Sequence, residues 1–590
     1  MVKQLMSGNE AIARGAYEYG VRVAAAYPGT PSTEILENMP KYKDSVYSEW
    51  APNEKVALEV AIGASTAGAR ALVAMKHVGL NVAADPLMTA AYSGVHGGLV
   101  IISADDPGMH SSQNEQDNRF FAKFAKIPLL EPSDSQEAKD MVGLALDISE
   151  QYDTPVILRT TTRISHSLSL VEIGERLDVP VKPYKKDAAK YVMVPAHAKQ
   201  RRFVVEKRLH ELEQYSETTP CNRVEWKDTS IGIITSGISY QYAKEALPNA
   251  SILKLGFTHP IPKQKIREFA AQVEHLYVIE ELEPYLEEQI RAMGIQVTGK
   301  DLLPNIGELS VQILRQKISG ETIGNLEAAI TVADKLSEKP APGRPPVLCP
   351  GCPHRGVFFT LKKMKLTVSG DIGCYTLGAL APLNAMDTTI CMGYSIGGAH
   401  GMELANPDLK GKTVAVIGDS TFLHTGVNGL MDIVYNGGST TTLILDNRIT
   451  AMTGQQHNPA SGQTLMGAPA KEIDLELLCK ALGVNRVFKA APFELKHLEN
   501  LIKQELATEE PSVIIVEHPC IFVDKNKYEP VTINENCTTC TSCMRIGCPA
   551  IVKKDGRITI NQTLCFGCDL CVQLCHFDAI VKQSKRTEGC

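Results

Sequence analysis

Eight cysteines between Cys537 and Cys575 fall into two related runs. The first reads Cys537-x2-Cys540-x2-Cys543-x4-Cys548-Pro549, the second Cys565-x2-Cys568-x2-Cys571-x3-Cys575-His576. Three thiolates spaced two apart can wrap one corner of an iron–sulfur cubane, and the fourth Cys of each run then reaches the other cluster. That rule assigns Cys537, Cys540, Cys543 and Cys575 to one [4Fe–4S] cluster, and Cys548, Cys565, Cys568 and Cys571 to a second. Zinc ribbons are the alternative, but they show two Cys pairs per metal rather than triplets. The x4 spacer in the first run and His576 where Pro is usual are loop-level departures that leave all eight thiolates in place.

A second constellation lies upstream. Val414-Ala415-Val416-Ile417 reads as a buried strand, followed at its carboxyl end by Gly418-Asp419-Ser420-Thr421 and a helix marked by Val427, Leu430, Met431 and Val434. The next strand ends at Asp446-Asn447-Arg448. Carboxyl ends of parallel strands are where α/β sheets bind ligands, and hard oxygen donors there suit Mg²⁺ beside phosphate oxygens. The helix start near Thr421–Thr425 offers backbone N–H groups to a diphosphate. Strand, Gly-Asp, helix, strand, Asn matches the thiamine-diphosphate fingerprint, with Ser420 where a second Gly is usual. By that match Gly418, Asp419, Ser420 and Thr421 form the diphosphate loop, while Asp419, Asn447 and the backbone carbonyl of Ile449 hold Mg²⁺.

Thiamine chemistry also needs a carboxylate on the aminopyrimidine ring, near a helix start and shielded from water. Trp50-Ala51-Pro52-Asn53-Glu54-Lys55, ahead of the small-residue helix Ala61–Gly68, supplies two candidates, Glu54 and Glu59. Tyr27-Pro28-Gly29-Thr30-Pro31-Ser32, together with a Glu nine residues before Gly63, resembles the pyrimidine domain of 2-oxoacid:ferredoxin oxidoreductases. The resemblance implies Glu54 on the pyrimidine and Thr30 near the substrate. Cys349 and Cys352 (in Cys-Pro-Gly-Cys-Pro-His-Arg), Cys374 and Cys520 resemble the four ligands of a third, proximal [4Fe–4S] cluster in that family; zinc or free thiols are the alternatives for the first pair. Cys221, Cys391, Cys479 and Cys590 carry no spacing signal and read as apolar residues or a free tail thiol.

The resemblance spans essentially the whole chain and is strongest for the branch acting on aryl pyruvates. It implies oxidative decarboxylation of a 2-oxoacid with coenzyme A and electron delivery to ferredoxin, in a heterodimer with a smaller beta subunit. Other 2-oxoacids, or an electron-transfer subunit with a vestigial thiamine site, are the alternatives. Arg119, beyond the strand ending at Ser103, is a candidate to hold a substrate carboxylate bidentately. His424, just past Gly-Asp-Ser-Thr-Phe-Leu, is expected near the diphosphate or substrate. Glu280 and Glu281 read as interface or surface charges.

These residues need elements to position them. At 590 residues, roughly four domains are expected. Strand candidates Val21–Tyr27, Ala71–Met75, Leu99–Ser103 and Val156–Arg159 alternate with helices, implying a doubly wound α/β layer over 1–185, the pyrimidine-binding domain. Residues 186–228 read as a charged, solvated helical linker. Ile231–Thr235, Ser251–Leu255 and Leu276–Ile279 mark a second α/β unit over 229–335, similar to a transketolase C-terminal domain. A Pro-rich hinge over 336–346 leads to the diphosphate and Mg²⁺ domain at 347–526 and a two-cluster, ferredoxin-like α+β domain at 527–590.

Apolar residues are 44%, charged residues 22%, and net charge is −7, which argues against wholesale disorder and gives no basic footprint for nucleic acid or an anionic membrane. No signal sequence or membrane-spanning run is read, so a cytoplasmic location is expected.

Overall fold

The computed structural model describes residues 2–320, 346–526 and 528–582. The expected hinge at 336–346, apart from Pro346, lies outside them, as does Cys590. The chain forms two compact units, Met1–Ala341 and Pro342–Cys590.

In the first unit, a seven-stranded sheet has the order Phe257–His259, Leu129–Leu130, Val156–Thr161, Leu99–Asp105, Ala71–Lys76, Val23–Ala26, Tyr47–Trp50. Its neighbours run parallel except at the first pair. The central strands Ala71–Lys76 and Leu99–Asp105 are buried along their whole length, as parallel strands covered by helices on both faces must be. Helix starts follow local chemistry. Ser7 forms the capping box with Glu10 at the first helix, Gly8–Glu18. Asn53 caps Glu54–Thr66 by accepting from Val56 N at 2.9 Å. Ser32, at the N-cap position of Thr33–Asn38, makes no capping bond and instead donates its hydroxyl to the Gly29 carbonyl at 2.8 Å, which pins the Pro28–Ser32 loop.

The expected solvated linker is not solvated throughout. Its helix, Pro195–Thr218, buries Val205, Arg208, Leu212 and Ser216, a stripe at spacings of three and four. Arg208 donates to the carbonyls of Asp153 and Ala91. Asn222–Glu225 then forms the antiparallel edge of a four-stranded sheet ordered His275–Ile279, Asp228–Ser236, Ala250–Leu255, Asn222–Glu225. The strand Phe257–His259, which follows Ala250–Leu255 in sequence, completes the seven-stranded sheet by pairing with Leu129–Leu130. The two α/β layers are therefore joined by a strand that one lends to the other.

An ion network joins them too. Glu280 and Glu281, expected as interface or surface charges, are 1% and 5% exposed, which fits the interface reading and not the surface one. Arg119 is also buried, and it binds Asp117 through Nε (2.9 and 3.0 Å), Glu280 through Nη1 (2.6 Å), and the carbonyls of Glu281 and Glu283 through Nη2 (2.9 and 3.0 Å). Its guanidinium lies 5.0 Å from the Tyr285 ring centroid. A guanidinium so engaged has no face left for a substrate carboxylate. Arg119 is thus a structural lock, and its expected binding role is corrected on that ground.

In the second unit, a five-stranded parallel sheet has the order Thr367–Ser369, Thr413–Gly418, Thr441–Asp446, Ser512–Glu517, Arg486–Ala490. Beyond it, two short antiparallel pairs, Val531–Ile533 with Ile580–Lys582 and Ile551–Lys554 with Arg557–Ile560, alternate with single turns at Ser542–Ile546 and Val572–Leu574. Among the described residues, no helix is long and apolar enough to cross a membrane.

Candidate functional site

The Gly-Asp segment sits at the carboxyl end of Thr413–Gly418, next to the carboxyl end of Thr441–Asp446. Gly418 is required sterically: a β-carbon there would lie 2.7 Å from the Tyr375 ring. The Tyr375 hydroxyl donates to the Ile372 carbonyl (3.0 Å) and lies 3.3 Å from Thr421 Oγ1, which donates to the same carbonyl (2.9 Å), so the turn after Gly418 is tied to Ile372. Asp419, Ser420, Thr421, His424, Asn447 and Ile449 are all buried. Asn458 Nδ2 donates to Asp419 Oδ2 at 3.2 Å. Burial first, and then the neighbouring Asp446 carboxylate, push the Asp419 carboxyl well above its ordinary range. A buried carboxylate raised in this way calls for a cation, so the donor set fits a divalent ion.

Ser420, the departure from the usual Gly, accepts from Thr450 Oγ1 at 2.9 Å and ties the Asp419 loop to the Asn447 loop. Arg448 sits between Asn447 and Ile449 at φ +63°, which turns the chain sharply at that point. His424 lies in the turn Phe422–Gly426 that continues from Asp419–Thr421, its Nδ1 3.1 Å from Thr425 Oγ1. Asp371, which sequence reasoning passed over, accepts from the backbone N–H groups of Gly393 and Ser395 at 2.9 Å each and anchors the start of helix Tyr394–Ala405.

In the first unit, burial separates the two candidate glutamates. Glu54 is 5% exposed in the first turn of its helix, whereas Glu59 is exposed and paired with Lys55. Gly79 makes room for Glu54, since a β-carbon there would lie 2.5 Å from Glu54 Oε1. Thr30 is half-buried beyond the end of Val23–Ala26, and its carbonyl accepts from Ser111 Oγ at 3.3 Å. Lys76, which carried no sequence signal, ends the adjacent strand with its ammonium 2.7 Å from the Ser111 carbonyl; burial lowers its pKa to about 8.

The tail cysteines line two cavities. One is bordered by Cys537, Cys540, Cys543 and Cys575; the other by Cys548, Cys565, Cys568 and Cys571. The fourth Cys of each run therefore sits with the other run's triplet. Among the described residues, no three His, Cys, Asp or Glu side chains converge on a single ion-sized point. Thiols around a cubane surround a four-iron core rather than one ion.

Cys349, Cys352, Cys374 and Cys520 are close enough to perturb one another. Burial, reinforced by neighbouring thiols, pushes Cys352 up to about 12 and Cys374 up to about 11, and raises Cys520. Arg355 is also buried and was not singled out by spacing. It donates to the carbonyls of Ile546, Gly547, Leu348 and Cys349, bridging the Cys349 and Cys548 loops and bringing a positive charge among the thiols. Of the cysteines without a spacing signal, Cys479 is fully buried and Cys391 exposed, and no disulfide joins any of the described cysteines.

Two family models match the chain. Residues 14–222 match "Pyruvate flavodoxin/ferredoxin oxidoreductase, thiamine diP-bdg", and residues 371–516 match "Thiamine pyrophosphate enzyme, C-terminal TPP binding domain". Fold and site thus define an oxidoreductase built on two thiamine-diphosphate-binding α/β domains. The chain is 40% identical to indolepyruvate oxidoreductase subunit IorA of Archaeoglobus fulgidus, over 98% of this chain and 97% of that one. It is 42% identical to the protein of the same name from Pyrococcus horikoshii, with the same coverage of both. A solved 2-oxoglutarate:ferredoxin oxidoreductase from Magnetococcus marinus is similar over 54% of this chain and 65% of that one, at 18% identity and a TM-score of 0.46. The chain belongs to the indolepyruvate oxidoreductase IorA family of 2-oxoacid:ferredoxin oxidoreductases.

Proposed function

We propose that this chain carries out oxidative decarboxylation of aryl pyruvates with coenzyme A, yielding the aryl-acetyl-CoA and CO₂ and passing electrons singly to ferredoxin. Thiamine diphosphate, when bound, supplies a carbanion nucleophile and an electron sink for decarboxylation. Asp419, Asn447 and the Ile449 carbonyl hold Mg²⁺, and the backbone of Gly418–Thr421 receives the diphosphate. Glu54, buried where Gly79 leaves room for its side chain, holds a proton at the aminopyrimidine ring nitrogen. By the family resemblance Thr30 serves the substrate, and His424, in the turn after Asp419–Thr421, serves the diphosphate or the substrate.

The tail is a ferredoxin-like domain whose eight thiolates hold two [4Fe–4S] clusters, and Cys349, Cys352, Cys374 and Cys520 hold a third. A smaller beta subunit completes the assembly, as the word "subunit" in the relatives' names supports.

The observation that carries this reading is the crossed sorting of tail cysteines into two cavities, three from one run and one from the other in each. That arrangement suits a two-cluster electron relay. The test is a panel of 2-oxoacids with coenzyme A and methyl viologen, using both subunits purified together. Viologen reduction fastest with aryl pyruvates supports the proposal. Reduction fastest with pyruvate, 2-oxoglutarate or branched-chain 2-oxoacids refutes the substrate class, and a colourless, iron-free active preparation refutes the relay.

A further inference from the structure

A 2-oxoacid brings an anionic carboxylate, and a shielded site needs a cation to receive it. At the carboxyl ends of the seven-stranded sheet, most cations are already committed. Arg119 is bound to Asp117 and Glu280, Arg159 to Asp105 and Glu131 at 2.6 Å each, and Arg163 to Glu308. Lys76 differs. It is only 8% exposed, yet its ammonium bonds to the carbonyl and hydroxyl of Ser111 rather than to a carboxylate.

The surroundings of Lys76 explain how it is held. Its β-carbon lies 3.0 Å from where a β-carbon on Gly29 would be, so its stem packs on the Pro28–Ser32 loop. Its ammonium donates to Ser111, through the carbonyl at 2.7 Å and Oγ at 3.4 Å. The Ser111 hydroxyl in turn donates to the Thr30 carbonyl at 3.3 Å. Asp106, the acid whose charge acts on the ammonium, is itself held by Ser111 N, Ser112 Oγ and Thr162 Oγ1 at 2.6–2.9 Å. Backbone and hydroxyl oxygens orient the ammonium, and Asp106 acts on it only from beyond ion-pair distance, so this buried charge is incompletely balanced, which is costly. The site is therefore built for an anion that arrives from outside.

We propose that the Lys76 ammonium receives the carboxylate of the 2-oxoacid substrate, beside Thr30, in the role the sequence suggested for Arg119. The inference rests on the reading that the chain acts on 2-oxoacids. A single ammonium is well matched to that carboxylate, because it is a compact point charge that grips one oxygen where a guanidinium would clamp both. Decarboxylation moves negative charge away from the carboxylate as CO₂ forms. The ammonium thus favours the bound substrate over the transition state, so its loss falls on KM more than on kcat.

The experiment uses the full chain with its partner subunit, loaded with cofactors, in Lys76→Met and Lys76→Arg forms. Each is assayed with an aryl pyruvate and with the matching arylacetaldehyde, the same skeleton without the carboxylate. A lost charge-assisted hydrogen bond predicts a KM for the aryl pyruvate about 10–100-fold higher in Lys76→Met, partly restored in Lys76→Arg. The aldehyde KM moves less than about twofold, and hydrogen–deuterium exchange at the bound thiamine C2 keeps its rate. An unchanged aryl pyruvate KM overturns the proposal. So does an equal loss with both substrates, which would mark Lys76 as structural. If the wild-type enzyme oxidises the aldehyde but no 2-oxoacid, the proposed function itself fails, and that result is distinct from a failure of Lys76 alone.

Discussion

Replacing Arg119 by Met tests whether this residue is a lock between the two α/β layers of the first unit. Arg119 neutralises two carboxylates, Asp117 and Glu280, each with a side chain only 1% exposed. Met fills much of the same space but leaves both charges. Glu280 keeps its bonds from the Leu286 and Glu287 amides, and Asp117 keeps Arg159 at 3.8 Å. Breaking a buried pair from one side costs about 3–5 kcal/mol, or roughly a hundred- to a few thousandfold in the folding equilibrium. With a urea slope of about 3 kcal/mol/M, the midpoint should fall by about 1–1.7 M.

The protein has two tryptophans, Trp50 and Trp226, and both lie in this unit, so intrinsic fluorescence reports its unfolding. The pH dependence has a definite sign. Burial already raises the Glu280 carboxyl above its ordinary range, and removing the cation raises it further. A folded-state pKa raised above the unfolded one gives stability that is present at acid pH and lost as pH rises through the folded value. The variant's deficit should therefore be smallest under mildly acid conditions and grow toward neutrality. If Arg119→Met unfolds within about 1 kcal/mol of wild type while its KM for 2-oxoacid rises sharply, the lock is refuted and substrate binding reinstated.

Three further outcomes are expected. Glu54→Gln should retain bound cofactor but slow C2 hydrogen–deuterium exchange by at least about 100-fold, with Gly79→Ala producing a milder form of the same defect and Glu59→Gln none; a normal exchange rate in Glu54→Gln would contradict the assignment. Asp419→Ala should lose thiamine diphosphate and activity together while keeping its iron, as read by thiamine released on denaturation and by EPR. Cys575→Ala should lose the cluster of the first cysteine run, about four irons per chain, and spare that of the second, which Mössbauer and EPR spectra of the reduced protein would resolve.

Much of the frame was legible because buried parallel strands announce themselves as short apolar runs. Ala71–Met75, Leu99–Ser103 and Val156–Arg159 each reappear with one or two residues added at the end. The tail cysteines were legible because their ligation rule is local. What escaped depended on distant partners. Tyr47–Trp50 and Phe257–His259 are short edge strands whose pairing is decided across the fold rather than by their own pattern. Arg119 looked like a free cation because Glu280, which binds it, lies 161 positions away. The choice between Glu54 and Glu59 needed burial, which helical spacing alone does not give. Lys76 and Arg355 were unreadable for the same reason: each is defined by carbonyl oxygens, and any residue type can supply those.

The strand Phe257–His259 has a practical consequence for anyone trimming this protein. A fragment stopped near residue 185 would strip the partner from Leu129–Leu130 and leave that border of the sheet with bare amides and carbonyls, a template for neighbouring molecules to stack against. It would also strand Asp117 and Arg119 without Glu280. Such a fragment should precipitate where one running through Leu309 stays dispersed, so the amino-terminal half is better treated as one indivisible folding block than as two modules on a string.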